Sequence, residues 1–234
     1  MIVSPGLWSS LVNIMVVNVL LSGDNAVVIA LAAHGLPQKQ QRPAILFGSA
    51  AAIVMRTVLT IFALKLLDLP FLKLVGGVLL VAIAIKLMAH QHGGANVASR
   101  STVAGAVKTI LLADLVMSLD NVLGVAAAAK GNIALLIVGL VLSVPLIVFG
   151  STLVLQIMKK FPLLLVLGAA LLGYLGGEML ISDSAIQGWV QTYLPSHQVA
   201  VGLSDFHVSL PGVVGAIAAV VLGAWRTKTR RKAP

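Results

Sequence analysis

Residues 18–35 read NVLLSGDNAVVIALAAHG, and residues 114–131 read DLVMSLDNVLGVAAAAKG. The two stretches align without gaps and share the tetrad S-x-D-N, formed by Ser22, Asp24 and Asn25 in one and by Ser118, Asp120 and Asn121 in the other. Matching alanines carry little weight in an alanine-rich chain, whereas an acid and an amide at equivalent places in two apolar stretches are unusual. The tetrad therefore predicts an internal repeat, and the alternative is a chance match between two alanine-rich helices.

The composition around these stretches is that of a membrane protein. The chain has 234 residues, of which 59% are hydrophobic and 10% charged, and it has no cysteine. Its mean hydropathy is +1.05. A soluble domain carries roughly 25% charged residues, so this chain lacks the charge to cover a water-facing surface. The missing cysteines exclude disulfides, cysteine zinc sites and thiol catalysis.

Seven stretches are long and apolar enough to cross a bilayer as helices, which takes about 20 residues each. They are 7–33, 44–67, 70–89, 103–129, 132–156, 162–182 and 207–225. Four prolines lie at or beside the predicted helix starts and connections: Pro37, Pro43, Pro70 and Pro162. Pro145 lies inside the fifth stretch, where we expect a kink. The pattern predicts an all-α polytopic membrane protein with seven transmembrane helices.

The basic residues indicate the orientation of these helices. One set of alternate segments carries most of them, including Lys39, Arg42, Lys159 and the basic residues of 226–232, whereas the opposite set holds only Lys65, Lys73 and Lys130. Because cytoplasmic segments collect Lys and Arg, we expect the N-terminus outside and the C-terminus inside. The net charge of +9 is then mostly an orientation signal, and the basic tail is expected to rest on anionic lipid rather than on nucleic acid.

The repeat extends to the third and sixth stretches, which align at Pro70, Gly76 and Lys86 with Pro162, Gly168 and Glu178. Each repeat has three spans, an odd number, so the second repeat inserts upside down relative to the first. Inverted repeats of this kind are a recurrent plan of secondary transporters, with the binding site near the midplane. The expected division is a first three-helix repeat at 1–95, an inverted second repeat at 96–183, an extracytoplasmic loop at 184–206, a peripheral seventh helix at 207–225 and a basic cytoplasmic tail at 226–234.

Four of the seven carboxylates lie within predicted spans, namely Asp24, Asp114, Asp120 and Glu178. An ionised side chain at the bilayer centre costs about 2.5–3.5 kcal/mol on an insertion scale, so each is expected to face the bundle interior or a polar cavity. Asp24 and Asp120 are expected near the midplane. Asp114 is then expected toward the cytoplasm and Glu178 toward the outside, so that the four acids form a ladder for a cation.

The residue types around these acids predict a metal site. Carboxylate, amide and hydroxyl oxygens suit hard cations such as Mg²⁺, Ca²⁺ and Mn²⁺, and Met117 adds a softer contact that favours Mn²⁺. The ligand types alone do not rank Mn²⁺ against Mg²⁺, Ca²⁺ or Fe²⁺. Arg56, in the middle of the second stretch, is the expected charge partner of Asp24 or Asp120. Purely structural ion pairing is the alternative interpretation of these charges.

Three segments carry a resemblance to a known family: LSGDNA at 21–26, SLDNV at 118–122 and GAALLGYLGGEML at 168–180. They resemble the TerC family of integral membrane proteins, in particular its short, YjbE-like bacterial branch, over roughly 7–225. The resemblance implies a seven-span protein of the LysE-like transporter group, linked to manganese efflux and, for some members, to tellurium resistance. It also implies metal-site roles for Asp24, Asn25, Asp120 and Asn121, with Asp114 and Glu178 as further candidates.

Together these observations predict a secondary transporter, and not an enzyme, that exports divalent cations across the bacterial cytoplasmic (inner) membrane by alternating access. Mn²⁺ would be its substrate, and no prosthetic group is expected. The expected partners are the metal ion and the lipid bilayer, with no nucleic acid and with homo-oligomerisation left open. Two alternatives stay open: an exporter of amino acids or other small solutes of the LysE type, and a structural membrane protein with internal ion pairs.

Overall fold

The structure, a computed structural model, describes residues 23–67, 69–91, 102–128, 133–193, 198–200 and 207–232. Within those ranges, the description excludes the side chains of 63–67, 90–91, 120–128, 133, 135–136, 198–200, 207 and 228–232. The helices are α1 (Gly23–His34), α2 (Gln38–Leu67), α3 (Leu72–Gln91), α4 (Val103–Ala128), α5 (Ile133–Lys160), α6 (Leu163–Ile181), α7 (Ser184–Tyr193) and α8 (Leu210–Lys232). Two short strands, β1 (Gln198–Ala200) and β2 (His207–Ser209), pair antiparallel.

Five of the helices in the described residues are long and apolar enough to cross a membrane. Their apolar spans are Gln38–Phe62, Leu72–Ala89, Ile137–Lys160, Leu163–Ile181 and Leu210–Thr227. They correspond to the second, third, fifth, sixth and seventh predicted spans. The fourth coincides with α4, which has 26 residues, and only the last part of the first is described, as α1. The protein is therefore a helical membrane protein, while the number of seven spans and the inverted repeat stay predictions.

Helix packing divides the chain into two compact units that are not consecutive in sequence. The first unit comprises Met1–Leu66 and Ser101–Lys159, and the second comprises Leu67–Arg100 and Lys160–Pro234. Each unit therefore takes helices from both predicted repeats. The predicted repeats at 1–95 and 96–183 are consecutive in sequence, whereas the two units are defined by packing. The division into repeats therefore stays a prediction.

Small residues bring the helices of the first unit together. A Cβ built on Gly48 of α2 would lie 2.5 Å from Cδ1 of Ile110 in α4, so the absence of a side chain permits this approach. Near the α1–α2 turn, Leu36, Ala44 and Ala106 are buried together. Helix α2 thereby packs against α4, the helix that carries Asp114.

The second unit is held by closer backbone contacts. A Cβ built on Gly177 of α6 would lie 2.1 Å from the carbonyl oxygen of Pro211, and one on Gly173 would lie 2.4 Å from that of Gly215. These glycines therefore serve packing, as close approach of membrane helices requires small residues. Helix α8, expected at the periphery because it falls outside the repeat, packs against both α6 and α3.

Two connections differ from the sequence-based expectation. The segment expected as the loop 184–206 contains helix α7 and strand β1, and α8 starts at Leu210, after β2. The segment expected as a basic tail at 226–234 continues α8 as far as Lys232.

Pro43, expected beside a helix start, lies inside α2, which begins at Gln38. At this sixth position of the helix, the missing N–H leaves the backbone carbonyl of Lys39 without its helical donor.

Asp183 is a buried residue that the sequence analysis did not select. Its Oδ1 accepts hydrogen bonds from the backbone N–H groups of Phe71 at 3.0 Å and Ala185 at 2.9 Å, and its Oδ2 accepts one from Leu74 at 3.1 Å. Phe71 has a φ of 65°, a left-handed conformation that costs a non-glycine residue roughly 1–2 kcal/mol. The carboxylate therefore caps the start of α3 and holds an unfavourable turn in place.

These hydrogen bonds also determine the charge state of Asp183, which lies outside the apolar spans. Burial raises the pKa of the Asp183 carboxyl, but four backbone N–H donors outweigh burial and hold the pKa below its usual 3.8. The donors belong to Ala185, Leu74, Phe71 and Lys73. A lowered pKa means that the unfolded chain binds the proton more readily, so this contribution to stability is present above about pH 4 and is lost as pH falls through the folded-state pKa.

We expect Gly177→Ala to lower the thermal unfolding temperature in detergent, because the added methyl group meets a backbone oxygen that has no alternative rotamer. Overpacking of this kind costs about 1–3 kcal/mol. The matched control is Gly188→Ala in α7, where a Cβ meets nothing within 4 Å. This control is expected to unfold no earlier than the parent, since alanine favours a helix over glycine. Equal unfolding temperatures for the parent and the Gly177 variant would contradict the close packing of α6 on α8.

Asp183→Asn is expected to destabilise the protein by about 1–3 kcal/mol at neutral pH, because one neutral amide oxygen and an NH₂ donor replace two charged acceptor oxygens. Thermal unfolding measured between pH 3 and pH 7 is expected to show a smaller loss of stability on acidification in this variant than in the parent. Ser184→Ala, at the exposed neighbouring position, is the control and is expected to follow the parent. A pH profile of the Asp183 variant identical to that of the parent would contradict the capping role.

Candidate functional site

A closed ring of polar contacts joins α2 and α4 inside the first unit. Arg56 Nη2 forms a salt bridge with Oδ1 of Asp114, and Arg56 Nε donates to Ser118 Oγ at 2.9 Å. Ser118 Oγ in turn donates to Asp114 Oδ2 at 3.2 Å. All three residues are buried. The ring therefore leaves neither the guanidinium nor this carboxylate without compensation in an apolar interior.

Local sequence explains why the ring forms. Asp114 and Ser118 are four residues apart on α4, so their side chains lie on the same face of the helix. Arg56 lies within the apolar span Gln38–Phe62, where its planar guanidinium bonds two acceptors at once. One turn later, Thr60 Oγ1 donates to the backbone oxygen of Arg56 at 2.8 Å. Arg56 was expected to pair with Asp24 or Asp120, and the ion pair found among the described residues is with Asp114.

Asp24 lies close enough to this ring to interact with it electrostatically. It is half-buried in the first turn of α1, and both Arg56 and Asp114 act on it through their charges. Its Oδ1 accepts a hydrogen bond from the backbone N–H of Asn25 at 2.8 Å. Helices α1, α2 and α4 thus bring Asp24, Arg56 and Asp114 into one polar region, and α1 packs against α4.

The amide of Asn25 is buried next to this region without a hydrogen bond to any described group. Asn25 is 3% exposed, and neither its Nδ2 nor its Oδ1 has a partner in the part of the chain that the structure covers. Burying an amide without hydrogen bonds costs about 1–3 kcal/mol. The site therefore offers an amide oxygen and an amide N–H beside the Asp24 carboxylate, both available to a further group.

The other residues predicted for the site fall elsewhere or outside the description. Ser22 precedes the described residues, and Asp120 and Asn121 lie in α4 with side chains outside the description. Glu178 belongs to the second unit, where it is half-buried and accepts a hydrogen bond from the Tyr174 hydroxyl at 3.5 Å. The same hydroxyl accepts one from the backbone N–H of Ser209 at 3.0 Å. The predicted ladder from Asp114 to Glu178 stays a prediction.

Residues that the sequence analysis did not select make further polar contacts in the first unit. Lys159 Nζ donates to Gln41 Oε1 at 2.7 Å, and Gln41 Nε2 donates to the backbone oxygen of Leu36 at 2.9 Å. The buried Ser49 Oγ lacks a partner among the described atoms. Within the same part of the chain, no group of three or more His, Cys, Asp or Glu residues is placed to hold a metal ion. A polar residue inside the predicted span 44–67 was the one signal that pointed to Ser49, whereas Gln41 lies in the polar stretch before that span.

Comparison with known proteins identifies the family. The profile described as "Integral membrane protein TerC family" matches residues 3–233. The chain belongs to the TerC family. Relatives of this TerC-family chain include the Uncharacterized membrane protein YjbE of Bacillus subtilis, which is 42% identical over 197 residues, covering 82% of this chain and 90% of the relative. The UPF0053 inner membrane protein YgdQ of Escherichia coli is 24% identical over 200 residues, covering 78% of this chain and 84% of the relative.

A third relative of this TerC-family chain is longer. The UPF0053 inner membrane protein YoaE of Escherichia coli is 25% identical over 195 residues, which cover 75% of this chain and 38% of the relative. No solved structure matches the chain. The matches confirm the resemblance seen in the paired D-N motifs and support an integral membrane protein whose relatives include inner membrane proteins.

We expect Arg56→Met to lower stability more than it lowers metal affinity, because it leaves the buried Asp114 carboxylate unpaired. Removing one partner of a buried pair costs about 3–5 kcal/mol. The double variant Arg56→Met/Asp114→Leu removes both charges and is expected to recover most of the unfolding temperature measured in detergent. Lys39→Met, an exposed change on the same helix, is the control. If the single and double variants were equally destabilised, the ion pair would not be what holds α2 on α4.

Proposed function

We propose that this chain is a secondary transporter that exports divalent metal cations, with manganese as its substrate, across the cytoplasmic membrane. The metal site consists of Asp24, Asn25, Asp120 and Asn121, with Ser22 and Ser118 beside them, and access to it alternates between the two sides. The observation that carries the proposal is the buried Asn25 amide without a described partner next to the Asp24 carboxylate. A buried amide with an unused oxygen beside an acid is what a cation with oxygen ligands requires.

The charges around Asp24 favour a cation with two positive charges. Arg56 forms its salt bridge with Asp114, so their charges offset each other and Asp24 remains as an acid without a salt bridge among the described residues. In the proposed site the second repeat supplies Asp120 as a further acid. Two carboxylates in a site of low dielectric repel each other, and a divalent cation between them removes that repulsion.

Arg56 has a positioning role in this mechanism. Arg56 bonds Oδ1 of Asp114 and the hydroxyl of Ser118, and that hydroxyl donates to Oδ2 of Asp114. Asp114 therefore becomes a ligand only when the guanidinium moves away, and a cation that arrives from the cytoplasm supplies the replacement charge. Exchange between Arg56 and the cation at Asp114 would couple metal entry to a movement of α2 against α4.

A second candidate function is structural, and the closed ring of Arg56, Asp114 and Ser118 favours it. In that case the buried charges hold helices together and no solute passes. The two functions differ in flux, because a structural role predicts no transport of any cation by folded protein, whereas the exporter predicts transport that depends on Asp24.

The decisive experiment is counterflow in proteoliposomes, with Mn²⁺, Mg²⁺, Ca²⁺ and Fe²⁺ tested in turn and lysine included as an organic solute. Asp24→Asn and Asp120→Asn are each expected to lower Mn²⁺ flux at least about tenfold, since loss of an ordered metal ligand or its support has effects of about 10–100-fold. Ser184→Ala, an exposed change in α7, is the matched control and is expected to transport at the parental rate.

The outcomes separate the functions. Retained Mn²⁺ flux in both aspartate variants would remove the proposed site, and flux of lysine without metal flux would assign the chain to solute export. Folded parent protein that transports none of these solutes, together with aspartate variants that unfold early, would favour the structural role. Size-exclusion chromatography and thermal unfolding show for every variant that the protein is folded.

A further inference from the structure

A groove of about 780 Å³ runs between α2 and α5 on the first unit. We call it the α2–α5 groove. It is lined by Arg42, Pro43, Ile45, Leu46 and Phe47 of α2 and by Pro145, Val148, Phe149 and Thr152 of α5. None of these residues belongs to the proposed metal site, so the groove is a separate feature and its interpretation does not depend on what the chain transports.

The walls of the groove are apolar and exposed although they belong to apolar spans. Phe47 is 62% exposed and Phe149 is 70% exposed. Both helices are long and apolar enough to cross a membrane, so side chains that face outward from them meet hydrocarbon rather than water. An acyl chain that packs against such side chains loses no hydrogen bonds.

One end of the groove is positively charged. Arg42 is exposed at the start of the span, and its guanidinium forms no ion pair within the described part of the chain. The contact of Lys159 Nζ with Gln41 Oε1 at 2.7 Å brings the end of α5 beside the start of α2. A second cationic side chain therefore lies near Arg42.

The sequence provides no acid to balance this charge. The chain has no Asp or Glu between Asp24 and Asp68, and none between Asp120 and Glu178. All of α2 and α5 falls within these two intervals. The basic end of the groove thus has an uncompensated positive charge at the level where an apolar span ends, which is the level of the lipid headgroups.

We propose that the α2–α5 groove binds an anionic phospholipid. The guanidinium of Arg42 bonds the phosphodiester, for which its planar fork is well suited, and an acyl chain lies along the groove between Phe47 and Phe149. Basic pockets between transmembrane helices are suited to anionic headgroups. A second copy of this chain fits less well, because a symmetric contact through the groove would bring Arg42 against Arg42.

The test uses a tryptophan reporter in the full chain. Trp8, Trp189 and Trp225 are replaced by Phe, and Phe149→Trp places one indole in the groove. Phe62→Trp is the matched control, because Phe62 is 54% exposed on the same apolar span of α2 but does not line the groove. Quenching is measured in vesicles of phosphatidylcholine that contain either brominated phosphatidylglycerol or brominated phosphatidylcholine.

At the Phe149→Trp reporter, we expect phosphatidylglycerol to associate about fivefold more strongly than phosphatidylcholine, which corresponds to the attraction of about one basic residue for an anionic headgroup. Arg42→Gln is expected to abolish this preference, whereas Lys39→Gln is expected to preserve it. The Phe62→Trp control is expected to show no preference. Inorganic phosphate at millimolar concentration is expected to leave the quenching unchanged, since the acyl chain contributes to binding.

Each of four results would overturn the proposal. Equal quenching by both lipids at the groove would show that no headgroup is selected, and equal loss of the preference in the Arg42 and Lys39 variants would show a diffuse surface charge. Displacement of the lipid by inorganic phosphate would assign the groove to a soluble anion. A groove reporter that neither lipid quenches would show that protein, such as a second copy, covers it. If Arg42→Gln does not fold, the comparison of the two lipids on the Phe149→Trp reporter that retains Arg42 still tests the proposal.

Discussion

The buried ion pair between Arg56 and Asp114 is the constraint on which the interior of the first unit depends. Neither charge is tolerated alone in an apolar span, since each would lack the solvation that water provides. The pair is satisfied only when α2 and α4 lie side by side, with Ser118 bonding both partners. Asp24 of α1 lies close enough to interact electrostatically with both charges. Packing alone tolerates small shifts between apolar helices, whereas this ring of directional bonds does not.

The second unit is held together by other means. Its helices approach at glycines, where backbone oxygens of one helix occupy the space that a side chain would need. At one end, Asp183 caps α3 from the start of the α6–α7 connection, and at the start of α8 the Tyr174 hydroxyl bonds the backbone of Ser209. These contacts satisfy backbone groups that a bilayer cannot satisfy. The first unit thus depends on a buried ion pair, while the second unit depends on close backbone contacts and on the Asp183 cap.

Two ligand chemistries follow from where charge is left without compensation. Inside the first unit, Arg56 offsets Asp114, so the uncompensated charge is negative and lies at Asp24 beside an unused amide. At the end of the same unit, Arg42 has no acid near it in sequence, so the uncompensated charge is positive and adjoins apolar walls. A cation suits the first environment and an anionic lipid suits the second. The opposite signs show why the net charge of +9 by itself says little about partners.

Much of the architecture was predictable from the sequence, because apolar stretches of sufficient length form helices in a membrane regardless of their neighbours. The spans around α2, α3, α5, α6 and α8 and the membership in the TerC family all follow from local patterns. The hydrogen-bond and ion-pair partners of the polar side chains did not follow from the sequence. Local spacing placed Asp114 and Ser118 on one face of α4. It did not show that Arg56 bonds these two residues and not Asp24. It also did not show that Asp183 caps a helix that begins more than a hundred residues earlier in the chain. Such contacts depend on which helices pack together, and the grouping of consecutive spans into different units is decided by tertiary packing alone.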